Sequence, residues 1–308
     1  MINYEKVCRA MSDLNLDLEI LPDEPMAKHT SFKIGGNADL FITVKTFSDL
    51  TQVLRILNDF EVPIFVIGNG SNLLVSDKGI RGAVVKLGGD FLKVQLIDEN
   101  TIECGAGVLV SKMCSFAQKN SLYGVEFAYG IPGTVGGAVF MNAGAYGGEI
   151  KDVVISAKSV TFNGENKFRT AREMELDYRK SIYSSVDEII LSVQLKLEKG
   201  EKLHIEEKMK DFLARRKEKQ PLEYPSAGSV FKRPVGNYAG TLIQTCGLKG
   251  KKIGGAMVST KHAGFIINTG NATCEDVVNL IDHIKATVFE QTGIALESEV
   301  RIVGDNSF

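Results

Sequence analysis

The sequence predicts an α+β fold, and three observations carry that prediction. Strand-like and helix-like segments alternate irregularly, without the βαβ repeat of a doubly wound sheet. The glycine loop Gly68-Asn69-Gly70-Ser71-Asn72 precedes the strand-like NLLVS, so it lacks the helix N-terminus of a Rossmann or P-loop site. The glycine run Gly130 to Gly148, GIPGTVGGAVFMNAGAYGG, has no Lys-Ser/Thr after its glycines and is not a Walker loop.

In chain order, residues 4–15 read as a short lead helix. Residues 29–44, HTSFKIGGNADLFITV, alternate like a strand after a glycine turn. Phe47 to Phe60 places Leu50, Val53, Leu54, Leu57 and Phe60 on one helical face, with Ser48 as the expected N-cap. PIFVIG, LLVS, GAVVKL, KVQLID and TIECGAG read as strands, the last two separated by the turn residues Asp98-Glu99-Asn100. Val108 to Lys119 is helical by periodicity, and DVVISAKSVTF and EIILSVQLKLE are strands. LEKGEK at 197–202 is the first strongly polar hinge, so a boundary is expected there. It divides the chain into 1–199, with lobes of about 1–84 and 85–199, and 200–308. Beyond it, Ile205 to Lys219 is a charged helix closed by Pro221, and Tyr238 to Cys246 is a short helix that Gly247 can cap. FIIN is a strand, Thr273-Cys-Glu-Asp opens a long helix with a capping-box pattern, and ALESEVRIVG closes the chain as a strand.

The bulk composition excludes several partners. With 308 residues, 44% hydrophobic and 24% charged, the chain has ordinary globular values and room for two domains. A formal net charge of −2 advertises no nucleic-acid or membrane partner. The N-terminal MINYEKVCRAMSDLN carries charges where a signal peptide needs an apolar core, and no stretch approaches the length that spans a bilayer. Cys8, Cys104, Cys114, Cys246 and Cys274 form no CxxC pair and read as free thiols of a reducing cytoplasm. His29, His204, His262 and His283 show no metal-ligand spacing, so no metal is expected.

The two glycine loops are the chemical signal. Glycine this dense costs backbone entropy and is kept where φ is positive or a ligand approaches the backbone closely. Few charges accompany the run at 130–148, so what it offers is backbone N–H, the requirement of a buried pyrophosphate. The short loop alone would be an ordinary tight turn; its pairing with the long run favours an anion nest.

Several strings match a known family in order: HTSFKIGGNAD at 29–39, GNGSNLLVSD at 68–77, EFAYGIPGTVGGAVFMNAGAYGGEI at 126–150 and DYRKS at 177–181. PSAGSVFKRP at 225–234, KHAGFIIN at 261–268 and LESEVRIVG at 296–304 follow. On these strings the chain resembles the UDP-N-acetylenolpyruvoylglucosamine reductases, flavoenzymes that complete UDP-N-acetylmuramate synthesis for peptidoglycan. The resemblance implies a two-lobed FAD-binding domain of the vanillyl-alcohol-oxidase (PCMH) type and a C-terminal α+β substrate-binding domain. It implies that Gly68, Asn69, Gly70, Ser71 and Asn72, with Gly130, Ile131, Pro132, Gly133, Thr134, Gly136, Gly137, Asn142, Ala143 and Gly144, cradle FAD. Neither loop contains the histidine that binds flavin covalently in some relatives, so noncovalent FAD is expected, with NADPH as co-substrate and a monomeric protein.

Reducing an enolpyruvyl ether requires a fixed cation for the charge that develops on the carboxylate, and an acid for the adjacent carbon. The resemblance assigns the cation to Arg179, whose fork holds a carboxylate at any working pH, and the acid to Ser229. Ser226 is the neighbouring serine, but the family serine follows the glycine. Glu297 and Glu299 share a strand face by spacing; the family's Glu-Val-Arg string selects Glu299, as a group that stabilises or protonates the enol. An isolated arginine, serine or glutamate in such segments would be an ion pair, a turn residue or a solvated strand residue. Tyr178, Lys217, Lys232 and Arg233 are the expected substrate-binding residues. The short interval from Arg179 to the hinge matches the family form without an added tyrosine-bearing loop. Two other readings share part of this pattern. Another flavin oxidoreductase of the superfamily, such as an aldonolactone or alcohol oxidase, would keep the glycine loops but not DYRKS, the Ser229 loop and EVRIVG together. A non-catalytic nucleotide-binding module would have no use for all three candidate catalytic residues.

Overall fold

In the computed structural model, residues 2–14 and 16–304 are described. The chain divides into two compact units. The first comprises Met1–Pro22, Asp39–Asn69 and Gly82–Arg215, and the second Asp23–Ala38, Gly70–Arg81 and Arg216–Phe308.

The first unit contains two larger sheets and two two-stranded ones. Of the larger pair, one has the strand order Leu18–Pro25, Asn37–Val44, Ile80–Leu87, Ile64–Ile67. Its last two strands are parallel, with Ile64 opposite Ala83. The strand Leu18–Pro25 was not anticipated: its charges interrupt the alternation, and only pairing defines it. The other sheet is antiparallel, in the order Asn166–Thr170, Val154–Thr161, Glu188–Lys196, Thr101–Gly105, Val94–Leu96. The turn before Thr101 is closed by Asp98, whose Oδ1 accepts from the N–H of Asn100 (2.9 Å) and Thr101 (2.8 Å). Helix Phe47–Asp59 buries Leu50, Val53, Leu54 and Leu57, as its periodicity predicts. Its N-cap is Thr46, not Ser48, because Thr46 Oγ1 accepts from Asp49 N at 3.1 Å and Ser48 lies one residue inside the helix. Helices Tyr4–Ser12 and Val110–Lys119 form where expected and bury Val7, Met11, Met113 and Cys114.

The polar stretch expected as a hinge is instead tied into this unit. Glu198 and Lys199 pair with Tyr123 and Leu122, Gly200 N donates to Ser121 O at 2.9 Å, and the Tyr123 hydroxyl donates to the Glu198 carboxylate. The unit therefore continues past residue 199 to Arg215, along helix Lys202–Lys219.

In the second unit, helix Cys274–Thr292 buries Val277, Leu280, Ile281, Ile284 and Val288 in a core with Phe32, Ile34 and Leu74. The unit's antiparallel sheet runs Lys252–Ile253, Ala256–Val258, Ile266–Asn268. The capping box is present: Thr273 Oγ1 accepts from Asp276 N and the Asp276 carboxylate from Thr273 N. Asp77 adds a second cap from a distant segment, accepting from Cys274 N at 2.8 Å and Glu275 N at 3.0 Å. The closing strand is only Arg301–Val303, and it pairs in parallel with Leu73–Val75. Segments 23–38 and 70–81 thus contribute cap, strand and core residues here, and neither lies in the C-terminal third of the sequence. No helix among the described residues is long and apolar enough to cross a membrane.

Candidate active site

In the first unit, strand Ile64–Ile67 delivers Gly68 and Asn69 against the glycine run. Asn69 Nδ2 donates to Pro132 O at 2.5 Å, and a Cβ on Gly68 would collide with Thr134 Oγ1. The two loops were expected to form an anion nest, without a helix N-terminus at the first. The second opens a short helix, Val135–Phe140, N-capped by Thr134, whose Oγ1 accepts from Gly137 N at 3.3 Å. Three backbone bonds lock its approach: Val110 N to Gly133 O (3.0 Å), Val135 N to Val108 O (2.8 Å) and Gly136 N to Ala106 O (2.9 Å). The N–H groups of Gly130, Gly133 and Thr134 find no acceptor among the described residues. A Cβ on Gly137 would meet only Thr134 Oγ1, at 3.4 Å, so that glycine faces open space. Unpaired N–H groups beside an uncluttered glycine surface fit a phosphate-bearing cofactor.

Four residues expected at the cofactor are used otherwise. Gly136 is buried, and a Cβ there would stand 2.8 Å from Ala106 Cβ, so its glycine serves helix packing. Asn142 is fully buried by protein, at 0% exposure, and leaves no side-chain surface for a ligand. In the second unit, Gly70 is also buried. Its φ of +58° and the collision of a Cβ with His29 O make it a close-approach glycine. Asn72 binds its own chain: Nδ2 donates to Glu299 O at 3.2 Å and its carbonyl accepts from Arg301 N at 3.0 Å. Ser71, Ile131, Pro132, Ala143 and Gly144 retain exposed surface.

Arg179 sits in a tight turn of the first unit. Asp177 and Lys180 exchange backbone hydrogen bonds at 3.0 and 3.1 Å, which forces Arg179 to φ +55°, a conformation uncommon outside glycine, Asn and Asp. Its guanidinium lies 4.9 Å from the centroid of the Tyr178 ring, and Nη2 donates to Gly144 O at 3.3 Å. DYRKS and the distal part of the glycine run are therefore in direct contact.

Backbone pairing in the second unit brings the Ser229 loop against the segment before the closing strand. Ser229 bridges Phe265, Val230 N donates to Gly264 O at 2.9 Å, and Val230 O accepts from Glu299 N at 2.7 Å. Gly228, at φ +79° with no atom within 4 Å of a Cβ, supplies the turn that exposes Ser229. The two glutamates differ. Glu297 is 75% exposed and paired with Lys232 at 3.1 Å, whereas Glu299 is half-buried. Lys232, expected to meet substrate, is thus engaged. The Arg233 guanidinium stands 4.0 Å from the centroid of the Tyr238 ring, and Lys217 offers its carbonyl to Lys261 Nζ at 2.7 Å.

Some residues escaped sequence reasoning. His262 is half-buried against Phe265, its ring accepting from Gly264 N at 3.1 Å, and burial holds its imidazole below the ordinary histidine range. Ser181, fully buried, binds the backbone of the glycine run, and Asn142, expected at the cofactor, binds that of DYRKS. The available signal was their position inside the two matched strings. Among the described residues there is no group of three or more His, Cys, Asp or Glu that could hold a metal.

Comparison with known proteins agrees with this geometry. Residues 38–167 match the family described as FAD binding domain. Residues 220–303 match UDP-N-acetylenolpyruvoylglucosamine reductase, C-terminal domain. The UDP-N-acetylenolpyruvoylglucosamine reductase of Alkaliphilus oremlandii is 52% identical over 93% of this chain and 94% of its own length. That of Geobacillus thermodenitrificans is 46% identical over 98% and 97%. A crystal structure of the Thermus caldophilus UDP-N-acetylenolpyruvylglucosamine reductase superposes with a TM-score of 0.80 at 35% identity, covering 93% of this chain and 99% of that one. With such identity along almost the whole length, and with a glycine cradle and a turn-borne arginine in the matched strings, the chain belongs to the UDP-N-acetylenolpyruvoylglucosamine reductase family.

Proposed function

We propose that this protein is an FAD-dependent, NADPH-consuming reductase that converts the enolpyruvyl ether of UDP-N-acetylglucosamine to UDP-N-acetylmuramate. The observation that carries the reading is Arg179, a permanent cation set on a left-handed turn and directed by Gly144 O. Gly68, Asn69, Gly130, Ile131, Pro132, Gly133, Thr134 and Gly137 would hold the cofactor, Gly130, Gly133 and Thr134 through unpaired backbone N–H groups and the others through close backbone approach, with Ser71, Ala143 and Gly144 flanking it. The chemistry that FAD would supply there is hydride transfer between NADPH and the vinyl carbon of the substrate.

The remaining chemistry belongs to side chains. Arg179 receives the substrate carboxylate in its fork and stabilises the negative charge that develops there. Ser229 gives its hydroxyl proton to the adjacent carbon. Its exposed hydroxyl, free of the strand pairing that holds its backbone, suits that transfer. Glu299 stabilises or protonates the enol. Lys217, Lys232 and Arg233 offer charge to the diphosphate; Lys232 must first exchange Glu297 for it. The enzyme works as a monomer in the cytoplasm, a setting supported by five free thiols.

The visible spectrum of the purified protein tests the reading. Flavin absorbance that NADPH bleaches is the expected result. A colourless protein that FAD cannot reconstitute would refute it.

A further inference from the structure

The glycine run divides into two parts with different partners. In the first, the N–H groups of Gly130, Gly133 and Thr134 have no acceptor among the described residues. From Phe140, the last residue of the short helix, every second residue binds the DYRKS turn: Phe140 O accepts from Ser181 Oγ at 2.7 Å, Asn142 Nδ2 donates to Asp177 O at 3.0 Å, and Gly144 O accepts from Arg179 Nη2 at 3.3 Å. Asn142 is the centre of this ladder. Its second amide hydrogen goes to Glu149 Oε2 at 3.1 Å, and its Oδ1 accepts from Lys151 N at 2.9 Å. Two acceptors and one donor around the amide fix its orientation, and its complete burial keeps it from a ligand. Asn142 itself adopts φ +39°, which asparagine tolerates better than other side-chain-bearing residues.

We propose that Asn142, supported by Ser181, is a positioning residue for Arg179. On this account Phe140, Asn142 and Gly144 make the distal half of the glycine run a platform for the carboxylate-binding cation. The inference rests on the role proposed for Arg179. The turn holds that side chain at a strained φ, and the buried amide fastens the turn at Asp177, two residues before the guanidinium's own backbone. Losing that bond lets the turn relax while the cofactor loops at 68–69 and 130–137 stay intact. A misplacement of about 1 Å costs on the order of 10²-fold in rate.

The test is Asn142→Asp, which keeps size and backbone preference but replaces both donated hydrogens with an acceptor. Flavin content, bleaching by NADPH and recovery of flavin colour by the enolpyruvyl substrate are measured separately, together with product affinity for the oxidised enzyme by calorimetry. Expected are unchanged flavin content and bleaching, a roughly 10²-fold slower recovery and weaker product binding. In an Arg179→Lys background the same change should add little, because both lesions act through one group. Equal slowing of both half-reactions, or a full additive loss in that background, overturns the proposal. If Asn142→Asp does not fold, Ser181→Ala decides: slowed recovery with normal bleaching supports the proposal and normal recovery overturns it. Wild-type enzyme that the enolpyruvyl substrate cannot reoxidise would instead refute the proposed function.

Discussion

Arg179 and Ser229, one in each compact unit, are held by opposite means. Arg179 stands on a non-glycine residue in left-handed backbone, and buried side chains of other segments fasten its turn. Ser229 follows a glycine that takes the positive φ for it, and backbone pairing with Phe265, Gly264 and Glu299 fixes its place, with Ser31 Oγ holding the loop three residues earlier at Ser226 O. The chemistry explains the difference. An arginine has about 2 kcal/mol of rotamer entropy to lose, so a charge aimed at one carboxylate needs a stiff mount. A serine hydroxyl turns about a single bond and needs only a placed Cα.

The largest effect that could break this contrast is Ser229→Ala. It should leave bleaching by NADPH unchanged and slow reoxidation by the enolpyruvyl substrate by roughly 10²–10⁴-fold, the usual worth of a positioned acid. Unchanged turnover would remove Ser229 from the chemistry and leave its loop a structural turn.

Two glycines compare backbone demand within the second unit. Gly70→Ala places a Cβ into the His29 carbonyl at positive φ and should destabilise by about 3 kcal/mol, from overpacking and left-handed strain together. Gly228→Ala meets open space and should cost only the strain, about 1–2 kcal/mol. Equal losses in denaturant titrations would show that Gly228 is constrained by more than its φ.

The smallest effect on stability is the sharpest. Arg179→Gly should abolish reoxidation by the enolpyruvyl substrate and yet gain about 1 kcal/mol of stability, because glycine relieves the left-handed strain at φ +55°. A clear loss of stability would mean that the contacts with Tyr178 and Gly144 outweigh the strain, and that Arg179 is a structural residue first.

What could be read from the sequence was local. The periodicity of Phe47–Asp59 and the Thr273–Asp276 box lie within a few residues of what they determine. The residues of the candidate site were legible as strings, and Arg179, Ser229 and Glu299 were selected that way. Their mounts were not. Asn142 looked like a loop residue for a cofactor, and only the hydrogen bond to Asp177, 35 residues on, shows what occupies it. Gly70 looked like a phosphate glycine, and the His29 carbonyl that demands it is 41 positions earlier in the chain. Asp77 gave no sign that it caps a helix beginning at Cys274. Each of these pairings closes a long loop, and single-residue patterns carry no record of such contacts.

The most direct test of the central claim is an anaerobic stopped-flow experiment on the flavin-loaded wild-type protein. NADPH should bleach the flavin in a first mix, and the enolpyruvyl ether of UDP-N-acetylglucosamine should restore its colour in a second, with UDP-N-acetylmuramate formed in equal amount to the flavin reoxidised. Flavin that stays reduced in the second mix, or recovers without that product, would contradict the account.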